Sequence, residues 1–165
     1  MDKEISKWME KVEKMKNGGV DLSIDEDLSI ALMNLISLEE HFYFTAMKTE
    51  NQQYLEFLQT VRDMRKKYLG KIVKNPVGEE WCISKHLLAA SMRLYEVGCK
   101  ELQKNKKEAE SYFKSGFDLW SLFFAINLKM IDVKKIEKDL LNKEETKMSK
   151  ISALMKKIVD CCKEW

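Results

Sequence analysis

The sequence predicts an all-α protein, built as an up-and-down antiparallel four-helix bundle with additional N- and C-terminal helices. Three observations lead to this prediction. Only one proline and six glycines interrupt 165 residues, so few positions are expected to stop a helix. Ten methionines and frequent leucine, lysine and glutamate favour helix. Apolar residues recur every three or four positions, which is the helical period. The length favours a single domain over 1–165.

This period delimits four long helices and two flanking segments. The core helices should cover about 24–48, 50–73, 76–103 and 106–129, and peripheral helices about 3–16 and 133–165. Each core helix is preceded by a capping residue or by a proline suited to its first position: Ser23, Thr49, Asn75 with Pro76, and Asn105. The connecting turns are short, so neighbouring helices should be antiparallel. The helix 24–48 is apolar on most sides and should therefore be central.

Charge and hydropathy disfavour several classes of function. The 29 basic and 27 acidic residues leave a net charge of +2, which gives no global case for a nucleic acid or an anionic membrane as partner. The longest apolar run, near 119–128, is shorter than the roughly 20 residues that a membrane helix needs. The N-terminus has no apolar signal core, so we expect a cytoplasmic protein without membrane association. No catalytic motif is present, which argues against an enzyme without deciding the question.

The two histidines, His41 and His86, lie within apolar helical stretches that also contain carboxylates. Burying an unpaired polar group is costly, so we expect each histidine to be paired, ligated or neutralised. Glu40 beside His41, and Glu79 on the same helix as His86, are ligand types found in bundle metal centres. Asp118 is a further candidate ligand. The metal would be iron, manganese or zinc.

The spacing of these residues departs from the ferritin-like carboxylate site. That site uses Glu-x-x-His, which this sequence lacks. Glu40 and His41 are adjacent, so they point about 100° apart. Glu79 and His86 share a face but are separated by about 10 Å along the axis. A polar network without metal is one alternative, in which Arg93 neutralises a carboxylate of the helix that carries Glu40. The other is that both histidines are ordinary core or boundary residues.

A basic stretch occupies the second half of the helix 50–73. Its candidate contacts for an anion are Arg62, Arg65, Lys66 and Lys71. Basic side chains with an aromatic residue among them, here Tyr68, can bind phosphates, and RNA is then the expected ligand. The alternative interpretation is a solvated helix face, since basic residues also suit the C-terminal end of a helix.

Four aromatic residues cover most of the circumference of the helix 106–129: Phe117, Trp120, Phe123 and Phe124. A four-helix arrangement buries only part of such a surface. The remainder should meet a peripheral helix or another subunit, which makes these residues candidates for an oligomer interface. The alternative is that all four belong to the core.

The sequence therefore favours a non-catalytic cytoplasmic binding or interaction protein that self-associates through apolar helix faces. One alternative is a ferritin-like metal-binding bundle with oxidoreductase activity. A second is an RNA-binding protein that uses the basic helix 62–74. The sequence identifies no specific ligand, substrate or partner.

Overall fold

A computed structural model describes residues 22–131, together with Glu10 and Ser152. Within this part the regular structure is entirely helical, which confirms the all-α prediction. The four helices are α1 (Ser23–Thr49), α2 (Gln53–Ile72), α3 (Glu80–Glu101) and α4 (Lys106–Asn127). The predicted peripheral helices, 3–16 and 133–165, lie outside the described residues apart from Glu10 and Ser152. None of the described helices is long and apolar enough to span a membrane.

The helices pack as two consecutive hairpins, α1 with α2 and α3 with α4, and α1 also contacts α3. Each helix supplies at least one fully buried side chain to a shared apolar core, among them Leu32, Leu69, Leu88 and Phe123. Full burial of a side chain of this size stabilises the fold by about 1.5–3 kcal/mol. The periodic apolar residues of all four helices thus converge on one core.

Buried hydrogen bonds connect α4 to α1 and to α3. The Trp120 indole donates to the Ser29 hydroxyl at 2.8 Å, and that hydroxyl donates to the Glu26 carbonyl at 2.6 Å. The Ser91 hydroxyl of α3 donates to the Gly116 carbonyl of α4 at 2.7 Å. These bonds satisfy polar groups that would be costly to bury alone, and they determine how α4 is oriented against α1 and α3.

The predicted helix starts agree with the structure at one site and differ at others. The Asn105 side chain accepts from the Glu108 N–H at 3.1 Å, as its position before α4 predicted. Ser23 is the first residue of α1, and Leu22 occupies the cap position before it. Thr49 ends α1, and its hydroxyl donates back to the Thr45 carbonyl at 2.8 Å. The side chain that accepts from the first N–H of α2, that of Gln53, belongs to Asn51 at 3.0 Å.

Helix α3 starts four residues later than Asn75 and Pro76 predicted. Asn75 and Gly78 have positive φ angles of 50° and 59°, so the chain turns there and does not begin a helix. The Glu80 carboxylate accepts from the Val77 N–H at 2.9 Å, which closes this turn onto the first residue of α3. A left-handed turn therefore replaces the predicted proline-led helix start.

Candidate functional site

The most enclosed ion pair joins α1 to α2 through Glu39 and Arg65. Arg65 Nε lies 2.7 Å from one carboxylate oxygen of Glu39, and its terminal nitrogen lies 3.2 Å from the other. The side chains are 3% and 13% exposed for Arg65 and Glu39 respectively. Arg62 adds a weaker contact to the same carboxylate at 3.8 Å. Arg65 is therefore committed to Glu39 and is not available to contact a nucleic acid.

A second pair, between Glu40 and Arg93, joins α1 to α3. Arg93 also donates to the Ser37 hydroxyl at 3.4 Å. The prediction that Arg93 neutralises a carboxylate of this helix is confirmed. Both partners are about half exposed, at 53% and 47%, so the pair lies at the surface and does not form a buried network. Exposed pairs of this kind contribute about 1 kcal/mol or less.

Both histidine side chains are exposed, which overturns the premise that burial forces them to be paired or ligated. His41 lies beside Glu40 in the wall of an open groove. Glu79 is exposed at the start of α3. Asp118 is half-buried and accepts a hydrogen bond from the Ser152 hydroxyl. Two apolar neighbours of His41 in the sequence, Leu38 and Phe44, line the same groove and are themselves exposed.

No group of three or more His, Cys, Asp or Glu side chains among the described residues is arranged to hold a metal ion. Of the five proposed ligands, Glu40 pairs with Arg93 and Asp118 with Ser152. The described residues therefore offer no preformed set of ligands for the metal site that the sequence suggested.

The exposed surface of α2 carries most of the basic stretch. Arg62, Lys66 and Lys71 are exposed there. Lys66 pairs with Asp63 at 3.4 Å, and the Lys71 ammonium lies 5.6 Å from the centre of the Tyr68 ring. These contacts are typical of a solvated helix face.

The aromatic residues of α4 lie mainly in the core. Trp120 is 9%, Phe123 0% and Phe124 1% exposed, while Phe117 is half-buried with its ring 5.8 Å from that of Trp120. Burial within one chain removes the first three from the surface that a second subunit could contact. For them the structure supports the alternative interpretation, a core role.

Glu80 is an ionisable group that the predicted sites did not include. It is buried and paired with Lys129, and it also accepts from the Val77 N–H. Burial by itself raises the pKa of this carboxyl, but the hydrogen bonds from Lys129 and Val77 outweigh it and leave the pKa below its ordinary value. The sequence places Glu80 in the first turn of a helix, but nothing in it points to a lysine 49 positions away.

An open groove passes between α1 and the α3–α4 hairpin. Its polar half has a volume of about 670 Å³ and is lined by Ser37, Glu40, His41, Arg93 and Glu96, among others. Its apolar half has a volume of about 600 Å³ and is lined mainly by Ile30, Met33, Met92, Tyr95, Phe113 and Phe117. Asn34 lines both halves, so they adjoin. The groove therefore has an apolar end and a charged end.

A second exposed surface lies where α1 turns into α2. Ile36 is 8% exposed, but Tyr43, seven residues later on the same face of α1, is 48% exposed. Similarly Met33 is buried, whereas Met47, fourteen residues later, is 52% exposed. Tyr43, Phe44, Met47 and Phe57 are the large exposed residues of this region, and we call them the hairpin-tip patch. The apolar stripe of α1 thus continues beyond the core.

No known family model matches this chain, and comparison with curated proteins and with solved structures finds no significant match.

Proposed function

We propose that this chain is a non-catalytic, cytoplasmic binding protein that self-associates through the hairpin-tip patch. Its scaffold in this proposal is an up-and-down antiparallel four-helix bundle with additional N- and C-terminal helices. In this proposal the hairpin-tip patch forms the oligomer interface. The aromatic residues of α4, which the sequence suggested for that interface, lie mainly in the core.

One observation carries the proposal: the core stripe of α1 becomes exposed at Tyr43 and Met47. Residues at such positions normally pack against another helix. Contiguous exposed apolar surface is uncommon on a monomer and marks interaction sites. Methionine also adapts its shape to an apolar partner more easily than branched side chains do. A second copy of the chain, presenting the same stripe, would remove this surface from water in both subunits.

The two alternative functions have less support. A metal-binding bundle lacks a converged ligand set among the described residues. RNA binding through α2 could not use Arg65, because Arg65 is bonded to Glu39. Neither alternative explains the exposed stripe of α1.

Sedimentation equilibrium over the micromolar range tests the proposal. We expect the wild-type chain to increase in mass with concentration, and Met47→Lys to remain monomeric. A lysine that is desolvated in the interface should cost about 2 kcal/mol or more, which weakens association roughly 30-fold. Met47 is already half exposed, so the folded monomer should tolerate the change.

Ile24→Lys is the matched control. Ile24 is 76% exposed, more than any other large apolar residue in the described part of the chain, and lies on the same helix about 34 Å from Met47. The Ile24→Lys variant should associate like the wild type. A wild-type chain that stays monomeric across the range would refute self-association, and equal weakening by both substitutions would refute the location of the interface.

A further inference from the structure

We propose that the groove between α1 and the α3–α4 hairpin binds an amphipathic helix of a partner protein. The apolar face of that helix lies against the apolar half of the groove, and a basic residue at one end lies beside Glu96. This inference rests on the proposed binding function. It does not require self-association through the hairpin-tip patch, although Phe44 belongs to both surfaces.

The length of the groove suits a helix. Among the α1 residues that line it, one row runs along the helix at spacings of four, four, three and three: Ile30, Asn34, Leu38, His41 and Phe44. Fourteen residues separate the first from the last, which is about 21 Å or four helical turns. A partner helix of equal length would meet this row with residues three, four and seven positions apart, as in known helix-in-groove complexes.

The openness of the groove also favours a helix over a small molecule. Ile30, Leu38 and Phe44 are 49%, 38% and 60% exposed although they line it. Small-molecule sites enclose most of the ligand surface, whereas a helix brings its own apolar side chains to cover the exposed wall. Two methionines in the apolar half, Met33 and Met92, can adjust to an incoming side chain.

The charge at the polar end specifies a basic residue. Arg93 is neutralised by Glu40, to which it is directly bonded. Glu96 lines the same half of the groove and is half-buried, yet it forms no ion pair or hydrogen bond with any residue in the described part of the chain. Glu40, Arg93 and Glu96 together therefore carry one net negative charge. A lysine or arginine is the complement, and an acidic residue would be repelled.

Two synthetic peptides test this inference. Each is an alanine-rich helix of about 16 residues with three leucines on one face. In the first peptide a lysine follows the last leucine by one turn, and in the second peptide a glutamate replaces it. Fluorescence anisotropy with the full chain at low salt should show binding of the lysine peptide and about fivefold weaker binding of the glutamate peptide.

Substitutions in the protein locate the site. Glu96→Lys should reverse the preference between the two peptides, whereas Glu56→Lys, the same charge change at an exposed position of α2, should leave it unchanged. Ile30→Lys, at an exposed residue of the apolar half, should weaken both peptides at least tenfold. Circular dichroism of each variant confirms that it is folded.

Three results would overturn the inference: no binding of either peptide, equal binding of both, or a preference that Glu96→Lys leaves unreversed. Repeating the titration with Met47→Lys separates the two proposals, because Met47 does not line the groove. A monomeric Met47→Lys variant that keeps its peptide preference would support the groove whatever the outcome for self-association.

Discussion

Removing Arg65 should destabilise the fold far more than removing an ordinary surface charge. In Arg65→Met the carboxylate of Glu39 keeps only the contact with Arg62, at 3.8 Å, and remains 13% exposed. Breaking one side of a buried ion pair typically costs 3–5 kcal/mol. Because Arg62 still offsets part of the charge, we expect the lower end, about 3 kcal/mol. Urea unfolding followed by far-UV circular dichroism measures this loss.

Removing the other partner of the pair, Glu39, leaves the more deeply buried charge of Arg65. In Glu39→Leu, Arg65 would be only 3% exposed and would lack both of its hydrogen bonds to the carboxylate. We therefore expect this variant to lose about 3–5 kcal/mol. In the double variant no uncompensated charge remains, and apolar side chains fill similar volumes. Its stability should return to within about 1 kcal/mol of the wild type.

The double-mutant cycle gives the result that would refute this reasoning. Strong coupling requires the two single losses together to exceed the loss in the double variant by about 3 kcal/mol or more. Additive losses would show that the two side chains do not stabilise each other despite their bidentate geometry. Lys66→Met is a control on the same helix, because its exposed pair with Asp63 should contribute about 1 kcal/mol or less.

Two further predictions concern two helical glycines and the ionisation of Glu80. In Gly98→Ala the new Cβ would lie 2.5 Å from a ring carbon of Phe113, so we expect a loss of about 1–3 kcal/mol in urea unfolding. Gly70→Ala, whose Cβ would lie 3.9 Å from Trp81, should instead gain about 0.5–1 kcal/mol from helix propensity, and equal effects of the two would contradict the geometry. The lowered pKa of Glu80 makes its ionised form stabilising above the ordinary value of 4.5, and this contribution is lost as the pH falls through the folded-state pKa. Glu80→Gln should therefore unfold more easily in urea at neutral pH and lose less stability on acidification than the wild type, whereas Glu79→Gln, at an exposed neighbour, should show neither change.

The helices could be predicted from the sequence because their signals are local. Apolar spacing shows where each helix runs, and the Asn105 cap marks the start of α4. The start of α3 could not be placed in the same way. Asn75 and Pro76 have the residue types of a helix start, but the chain adopts left-handed angles at Asn75 and Gly78. Within this turn the Glu80 carboxylate accepts a hydrogen bond from the Val77 N–H, a contact that the residue types at 75 and 76 do not indicate.

The candidate sites were harder to predict, because a helix that is apolar on most sides does not show which face is turned to the solvent. His41 and His86 have apolar neighbours in sequence and are nevertheless exposed. Tyr43 and Met47 follow the core stripe of α1 but leave the core. The pairing of Arg93 with a carboxylate of α1 was predictable from the two residue types, but its position at the surface was not.

The sequence by itself determined that the described part of the chain is helical, where its helices run apart from some of their starts, and that the charges are balanced. Only the tertiary structure decided which charges meet. Glu39 and Arg65 are 26 positions apart, and Ser29 and Trp120 are 91 apart. The physical reason is that helix formation depends on contacts within one or two turns. Ion pairs, grooves and exposed stripes depend instead on the angles and offsets at which whole helices pack, and no local pattern encodes these.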